Sequence, residues 1–463
     1  MTVEAHRNPF SEWGRFFLAY AMLNAPYWLL GQWFYLSRPL FNVELVIPLL
    51  LCVWSIPAGV LALIVFWVLD LTVSQALSYH FTSPLEFLRS VQFLSDVHVE
   101  RFLSADRILT ALLFIVSAAA AIRWSPRLRA AWLPALGVVT LVSVLDITNG
   151  SSMFWQRGTR IIATNIADSP TLTLGLRAWK ELQPTTLGPI PQRSSATSIA
   201  DLADWATSHP DGSMLIVIVE SFGWHNDAGM RRWLHEQLIN ESIATNYQIE
   251  ETRVPFRGST TSAELRELCG LYGSYRSLGA NEGQKCLPAR LALQGWKTTG
   301  LHGFSSHMFR RTEWWPLIGL ETRHFAQDLL TSPRDLCGGA FAGVCDTALL
   351  EAAVSEASLP RHMVYALTLN SHLPLQRIDV PVELQQRCDA SSAGRDVCQL
   401  TATLGVALRA LRDALIRSGA SPAIVLVGDH APPFVTLNDR TQYDATQVPA
   451  FILKPKPHSA TTQ

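Results

Sequence analysis

Polar residues with chemical potential stand at the ends of apolar runs in this chain. Met214 to Val219 (MLIVIV) is a six-residue apolar run rich in β-branched residues, which reads as a strand covered on both faces, and it stops at a carboxylate, Glu220. A second run ends at His302 in TTGLHGF, a third at Asn370 and His372 in LTLNSHLP, and a fourth at Asp429 and His430 in IVLVGDHAPP. Taken singly, each has a structural explanation: an ion pair or cap for Glu220, an N-cap for Asp429, a hydrogen-bonded loop for a histidine. Taken together, a glutamate, an aspartate and a histidine at one edge form a hard-to-borderline donor set suited to one Zn²⁺ or Mn²⁺ ion. Such a metal needs a group to activate, and FRGSTTSAELRELCG at 256–270 offers hydroxyls. Thr261 to Glu264 fits a capping box, so a helix is expected from about Ser262. A hydroxyl at that helix start sits among free backbone N–H groups and the positive end of the helix dipole, which favour a phosphate. Residue types alone leave the threonines with two roles, nucleophile or ordinary cap.

These residues need a scaffold that gathers strand ends. Strands are expected at 214–219, 297–301, 362–369, 423–428 and 449–453, and helices near 229–243, 262–271, 346–357 and 399–418. Alternation of this kind argues for an α/β domain with a mainly parallel sheet sandwiched by helices. In such sheets the ligand site lies beyond the carboxyl ends of the strands, where the four polar endings fall.

The first third of the chain has a different composition. Charged residues make up 16% of the 463-residue sequence, against roughly 25% in ordinary soluble domains. None occurs between Arg15 and Arg38 or between Glu44 and Asp70, and both stretches exceed the ~20 residues a membrane helix needs. Residues 1–150 are therefore expected to form a transmembrane domain of about five helices, near 16–36, 42–56, 59–80, 107–123 and 130–148, with four spans as the rival count. The IPAG segment at 56–59 is the expected turn between the second and third. Three arginines in RWSPRLR at 123–129 place that loop in the cytoplasm and residues beyond 150 outside. Segment 81–106 is expected to lie on the bilayer as an amphipathic element. The small-residue AYA at 19–21 follows too short an apolar core to be a signal-peptide cleavage site, so the anchor is expected to stay uncleaved.

Residues 151–211 are expected to hold a juxtamembrane helix and a Pro/Ser/Thr-rich linker, 212–457 the globular domain, and 458–463 a tail. Six of the seven cysteines follow residue 150. Sequence neighbours give the simplest pairing, Cys269 with Cys286, Cys337 with Cys345 and Cys388 with Cys398, and imply an oxidising compartment. A net charge of −1 without a polybasic run excludes a nucleic-acid partner of the usual kind.

The motifs VIVESFG with Glu220, STTSAE with Thr260, and VGDH with Asp429 and His430 resemble those of the alkaline phosphatase superfamily. The resemblance is to its membrane-anchored, sulfatase-like branch: lipoteichoic acid synthase, the phosphoglycerol transferases of periplasmic glucans and the phosphoethanolamine transferases. It implies that Glu220, Thr260, Asp429 and His430 bind one catalytic metal and that Thr260, four residues before Glu264, is the nucleophile. In LHGFSSHMFRR it implies headgroup contacts from Phe309 and Arg311, with His302 helping to position the headgroup. His372 matches a histidine that contacts the phosphoryl group.

The chain departs from the pattern in DHAPPF, which touches the acceptor side. It also lacks the Cys/Ser-x-Pro-x-Arg motif of formylglycine sulfatases. The implied activity is transfer of phosphoglycerol or phosphoethanolamine from a membrane phospholipid, through phospho-threonine, to an envelope glycan or glycolipid. The implied location is the bacterial inner membrane, with the catalytic domain in the periplasm. An ester hydrolase on the same site and a catalytically inactive lipid-sensing protein are the alternatives.

Overall fold

A computed structural model of the chain describes residues 9–33, 41–81, 84–102, 105–124, 133, 135–137, 139–141, 144, 167–168, 187–330, 336–434 and 436–457. The chain forms two compact units. The first takes in Met1–Arg89, Leu103–Gln183 and Val435–Leu437; the second takes in Ser90–Phe102, Pro184–Phe434 and Asn438–Gln463.

Helices α1 (Pro9–Trp33), α2 (Val46–Trp54), α3 (Ile56–Ser78) and α4 (Ala105–Trp124) build the first unit. Phe16, Tyr20, Tyr27, Leu49 and Phe66 pack inside it. Apolar side chains also point outward: Trp54, Leu61, Val68, Leu71, Leu109 and Val116 are each more than half exposed. The helices fall near the expected positions, but the expected spans need correction. Helix α2 has nine residues, a rise of ~14 Å, which is about half of the ~30 Å hydrocarbon core. Residues 42–56 therefore do not form a span of their own, and the chain breaks at Ser55, in extended conformation, rather than at 57–59. No helix of the described residues is long and apolar enough to cross a membrane. Most of the fifth expected span, the juxtamembrane helix and the tail lie outside the described residues.

The second unit is an α/β domain around a seven-stranded sheet. In chain order its strands are β1 (Met214–Val219), β2 (Tyr247–Pro255), β3 (Lys297–His302), β4 (Thr322–His324), β5 (His362–Leu367), β6 (Ala423–Gly428) and β7 (Gln447–Pro455). They lie in the order β2-β7-β6-β1-β5-β3-β4. The five from β6 to β4 are parallel, and β7 and β2 add an antiparallel edge. Strands β1, β5 and β6 are buried along their whole length, as continuous apolar runs covered on both faces should be. Helices α5 (Ala228–Leu238), α6 (Thr260–Cys269), α7 (Asp346–Glu356) and α8 (Arg395–Ser418) follow in chain order, and α8 explains one cover: Val397, Leu400, Leu404, Leu408, Leu411 and Leu415 recur every three or four residues and are all buried. Full burial of each leucine contributes about 2 kcal/mol. Strand β2 is absent from the sequence expectation because its polar YQIEETRVP run suits an exposed edge rather than a core.

Register is what makes the sheet useful. Met214 of β1 sits level with Met363 of β5 and Ala423 of β6, and Val219 sits level with Gly428. The three strands therefore stop together, and the residues that follow them emerge side by side. Gly428 is required at this ending, since a Cβ there would collide with the carbonyl oxygen of Phe222.

All three expected disulfides are formed, and Cys52 is buried. Segment 81–106 is corrected in part, because Ser90–Phe102 packs on the second unit. His98 N–H donates to the Ala340 carbonyl (2.9 Å) and Arg101 Nη1 to that of Gly339 (2.6 Å). Phe93 is buried with Phe304, Met308 and Leu369, its ring 5.8 Å from that of Phe309. The amphipathic pattern is real, but its aromatic face is taken up by protein.

Candidate metal centre

The level strand ends bring the candidate ligands together. Glu220 follows β1; its N–H donates to Thr368 Oγ1 (3.0 Å) and its carbonyl accepts from Ser371 Oγ (2.5 Å), both just past β5. Asp429 and His430 follow β6. All three side chains are buried, with donor atoms within 4.8 Å of one another, and they form the one such cluster among the described residues. His430 Nε2 lies 3.2 Å from Asp429 Oδ2 and 3.7 Å from Glu220 Oε1. Its Nδ1 lies 3.0 Å from the Ala431 carbonyl oxygen. A carbonyl can only accept, so Nδ1 holds the proton and the Nε2 lone pair faces the carboxylates.

The electrostatics of this arrangement suit a cation. Burial pushes the Asp429 carboxyl well above the usual carboxylate range, and the charge of Glu220 adds to the effect. Burial acts on Glu220 in the same direction, but His372, His430 and the Ser221 hydroxyl outweigh it and hold Glu220 below its ordinary value. Burial also lowers the pKa of His430, with Glu220 opposing. Two carboxylates packed this closely share a proton unless positive charge replaces it. Two carboxylates and a neutral imidazole fit Zn²⁺ or Mn²⁺.

The hydroxyl is in place. Helix α6 (Thr260–Cys269) starts two residues earlier than expected, and its N-cap, Ser259, makes no side-chain capping bond. Thr260 Oγ1 is within donating distance of Glu220 Oε2 (3.0 Å) and Asp429 Oδ2 (2.9 Å). Its one proton serves one oxygen at a time, and the Oγ1 atom itself sits between the two carboxylates. This geometry is not that of a cap, which accepts from backbone N–H. Thr261 is buried. The capping box does not form because Glu264 is buried and accepts from Arg311 Nη2 (2.9 Å) and Trp315 Nε1 (3.0 Å).

The peripheral residues divide. His372 is half-buried beside the cluster, where it lowers the pKa of Glu220; its ring lies 3.8 Å from that of Phe341 and its Nδ1 2.8 Å from the Leu373 carbonyl. Phe309, at φ 54°, packs near Phe93 and Tyr275. His302 is buried with Nδ1 on the Leu367 carbonyl (3.1 Å), and burial with nearby Arg311 holds it neutral. Arg311 requires a correction. Expected to contact the headgroup, it is 1% exposed and its guanidinium engages Glu264 through both Nε and Nη2. A buried charge already paired in this way has little left for a substrate.

Several supporting residues escaped the sequence reading. Asp346, which opens helix α7 (Asp346–Glu356), accepts from the N–H groups of Leu369 (2.8 Å) and Asn370 (2.9 Å), just before His372. Burial pushes its carboxyl up to about 7. Arg266 of α6 donates to the carbonyl of Gly428 (2.8 Å) and lies 3.3 Å from that of Asp429, tying the Thr260 helix to the end of β6. In ELRELC that arginine, next to Glu267, reads as an ordinary solvated helix charge.

No protein-family model matches the chain, and no curated protein matches it. Solved structures to which the chain is similar include the lipoteichoic acid synthase LtaP of Listeria monocytogenes, 17% identical, over 54% of this chain and 67% of that one, with a TM-score of 0.38. The phosphoglycerol transferase GacH of Streptococcus pyogenes is 15% identical, over 58% and 77%, with a TM-score of 0.36. The lipooligosaccharide phosphoethanolamine transferase A of Neisseria meningitidis, an integral membrane protein, is 13% identical, over 83% and 75%, with a TM-score of 0.45. At such identities and TM-scores the likeness fixes no activity, and the functional reading rests on the side chains.

Proposed function

We propose that the protein is a metal-dependent phosphotransferase in which Thr260 carries a phospho-alcohol headgroup from a membrane phospholipid to an envelope glycan or glycolipid. The observation that supports it most is the position of Thr260 Oγ1, within 3.0 Å of carboxylate oxygens from both Glu220 and Asp429 at the first residue of a helix. A divalent zinc or manganese ion held by Glu220, Asp429, His430 and Thr260 would supply Lewis acidity, lowering the pKa of the hydroxyl and polarising the phosphate. The carboxylate pair takes the Thr260 proton as the threonine oxygen bonds to phosphorus and the bond to the diacylglycerol oxygen breaks. His372, beside the cluster, gives the leaving oxygen its proton, and the positive end of α6 favours the phosphoryl charge. An acceptor hydroxyl then attacks the phospho-threonine and its proton passes to His372, while the bond from phosphorus to Thr260 Oγ1 breaks and Oγ1 takes back the proton held by the carboxylate pair.

The outward-facing apolar side chains of the first unit are the kind of surface that meets lipid tails rather than water. This supports anchoring in the inner membrane, and three disulfides in the second unit support a periplasmic catalytic domain. Anchoring raises the effective concentration of a lipid donor that is scarce in water.

Intact-mass measurement of the purified chain with Zn²⁺ or Mn²⁺ and vesicles of phosphatidylglycerol or phosphatidylethanolamine tests the reading. Wild type is expected to gain one phospho-alcohol and Thr260→Ala none. An adduct that survives in Thr260→Ala, or no adduct on wild type with either lipid, overturns it.

A further inference from the structure

We infer that Ser221 is a positioning residue for the metal centre, holding both ligand carboxylates through two different atoms. The inference rests on the proposed function of the Glu220–Asp429–His430 cluster. Ser221 is completely buried and sits at φ 53°, the left-handed region that a side chain with a β-carbon disfavours. The turn that forces this conformation also aims its polar groups. Its N–H donates to Asp429 Oδ1 (2.8 Å) and its Oγ donates to Glu220 Oε1 (2.9 Å). The His430 N–H reaches the same Asp429 oxygen (2.6 Å). One oxygen of each carboxylate is thereby fixed from behind, and the other two, Oε2 and Oδ2, are the ones that meet Thr260.

The residue type follows from these demands. Glycine would accept the backbone angle but bring no hydroxyl, and threonine would bring the hydroxyl with β-branching that the left-handed region resists. Serine is the small residue that meets both needs. Its burial rules out Ser221 Oγ as a second nucleophile, because a phosphorus centre cannot approach it. It acts through Glu220 and Asp429, orienting ligand oxygens so that the chain does not reorganise when the cation binds.

The test titrates Zn²⁺, and in parallel Mn²⁺, into the metal-free full chain in detergent by calorimetry, with melting of the metal-free proteins followed by circular dichroism. Ser221→Ala and Ser221→Gly are each expected to bind Zn²⁺ about 10- to 100-fold more weakly than wild type. Without metal, Ser221→Gly is expected to melt above Ser221→Ala because it removes the backbone strain. If the alanine variant does not fold, the glycine variant decides. Binding by either folded variant as tight as wild type overturns the role of Ser221 and leaves the metal centre standing. Failure of wild type to bind either ion removes the metal centre and this inference with it.

Discussion

Replacing Arg311 by methionine should damage the fold far more than it damages substrate binding. The guanidinium meets Glu264 at 3.3 and 3.2 Å through Nε and at 2.9 Å through Nη2, and the two side chains are 2% and 0% exposed. Once Arg311 is removed, Glu264 retains the Trp315 indole N–H at 3.0 Å. A carboxylate stranded in this way costs about 3–5 kcal/mol, which lowers the melting temperature by on the order of 10 °C for a domain of this size. Replacing both partners with apolar residues should recover part of that loss, with a coupling energy of about 1–3 kcal/mol in the double-mutant cycle. The assay is thermal melting of the full chain, paired with steady-state kinetics well below the transition. Lysine at 311 should fall between, since it cannot make the forked contact. An unchanged melting temperature for Arg311→Met, together with a much higher KM for the lipid donor, would refute the reasoning and return Arg311 to the substrate.

Zinc affinity should rise with pH, because burial and Glu220 keep a proton on Asp429 that the cation must displace; calorimetry in buffers of different ionisation enthalpy should show proton release, and a pH-independent affinity would contradict it. Burial holds the Asp346 carboxyl up at about 7 in the fold, well above its ordinary carboxylate value, so its neutral form favours the folded state. Its contribution is complete below about pH 4 and is lost as pH rises through about 7. Asp346→Asn should therefore flatten the fall in stability between those values, as read by urea titrations at several pH values. Phe93→Ala removes a buried ring from a small cluster, at a cost of up to about 3 kcal/mol; limited proteolysis should then cut within 90–102 faster than in wild type, and equal cutting would mean the packing is dispensable.

Five of the seven sheet strands and all three disulfides were legible in the sequence because they leave local signals: a buried parallel strand is a short apolar run, and each cysteine pair is close in sequence. The four proposed ligands were legible for a related reason, since register brings polar strand endings to one edge. The residues that tune the site left no such trace. Arg266 and Glu267 look like solvated helix charges until the sheet end is seen above them, and Ser221 shows its role only through its left-handed backbone. Glu264 misleads for the opposite reason. Its spacing from Thr261 matches a capping box, but Arg311, 47 residues away along the chain, competes for the same carboxylate and wins. Segment 90–102 likewise showed its amphipathic pattern without showing what would cover the apolar face.

The account turns on whether one cation sits between Glu220, Asp429, His430 and Thr260. Anomalous diffraction at the zinc edge from crystals of the full chain grown with Zn²⁺ measures this directly. A single strong peak within about 2.0–2.2 Å of a ligand atom from each of Glu220, Asp429 and His430, with Thr260 Oγ1 next to it, is the predicted result. A peak bound elsewhere, or none at this cluster in fully loaded protein, would contradict it.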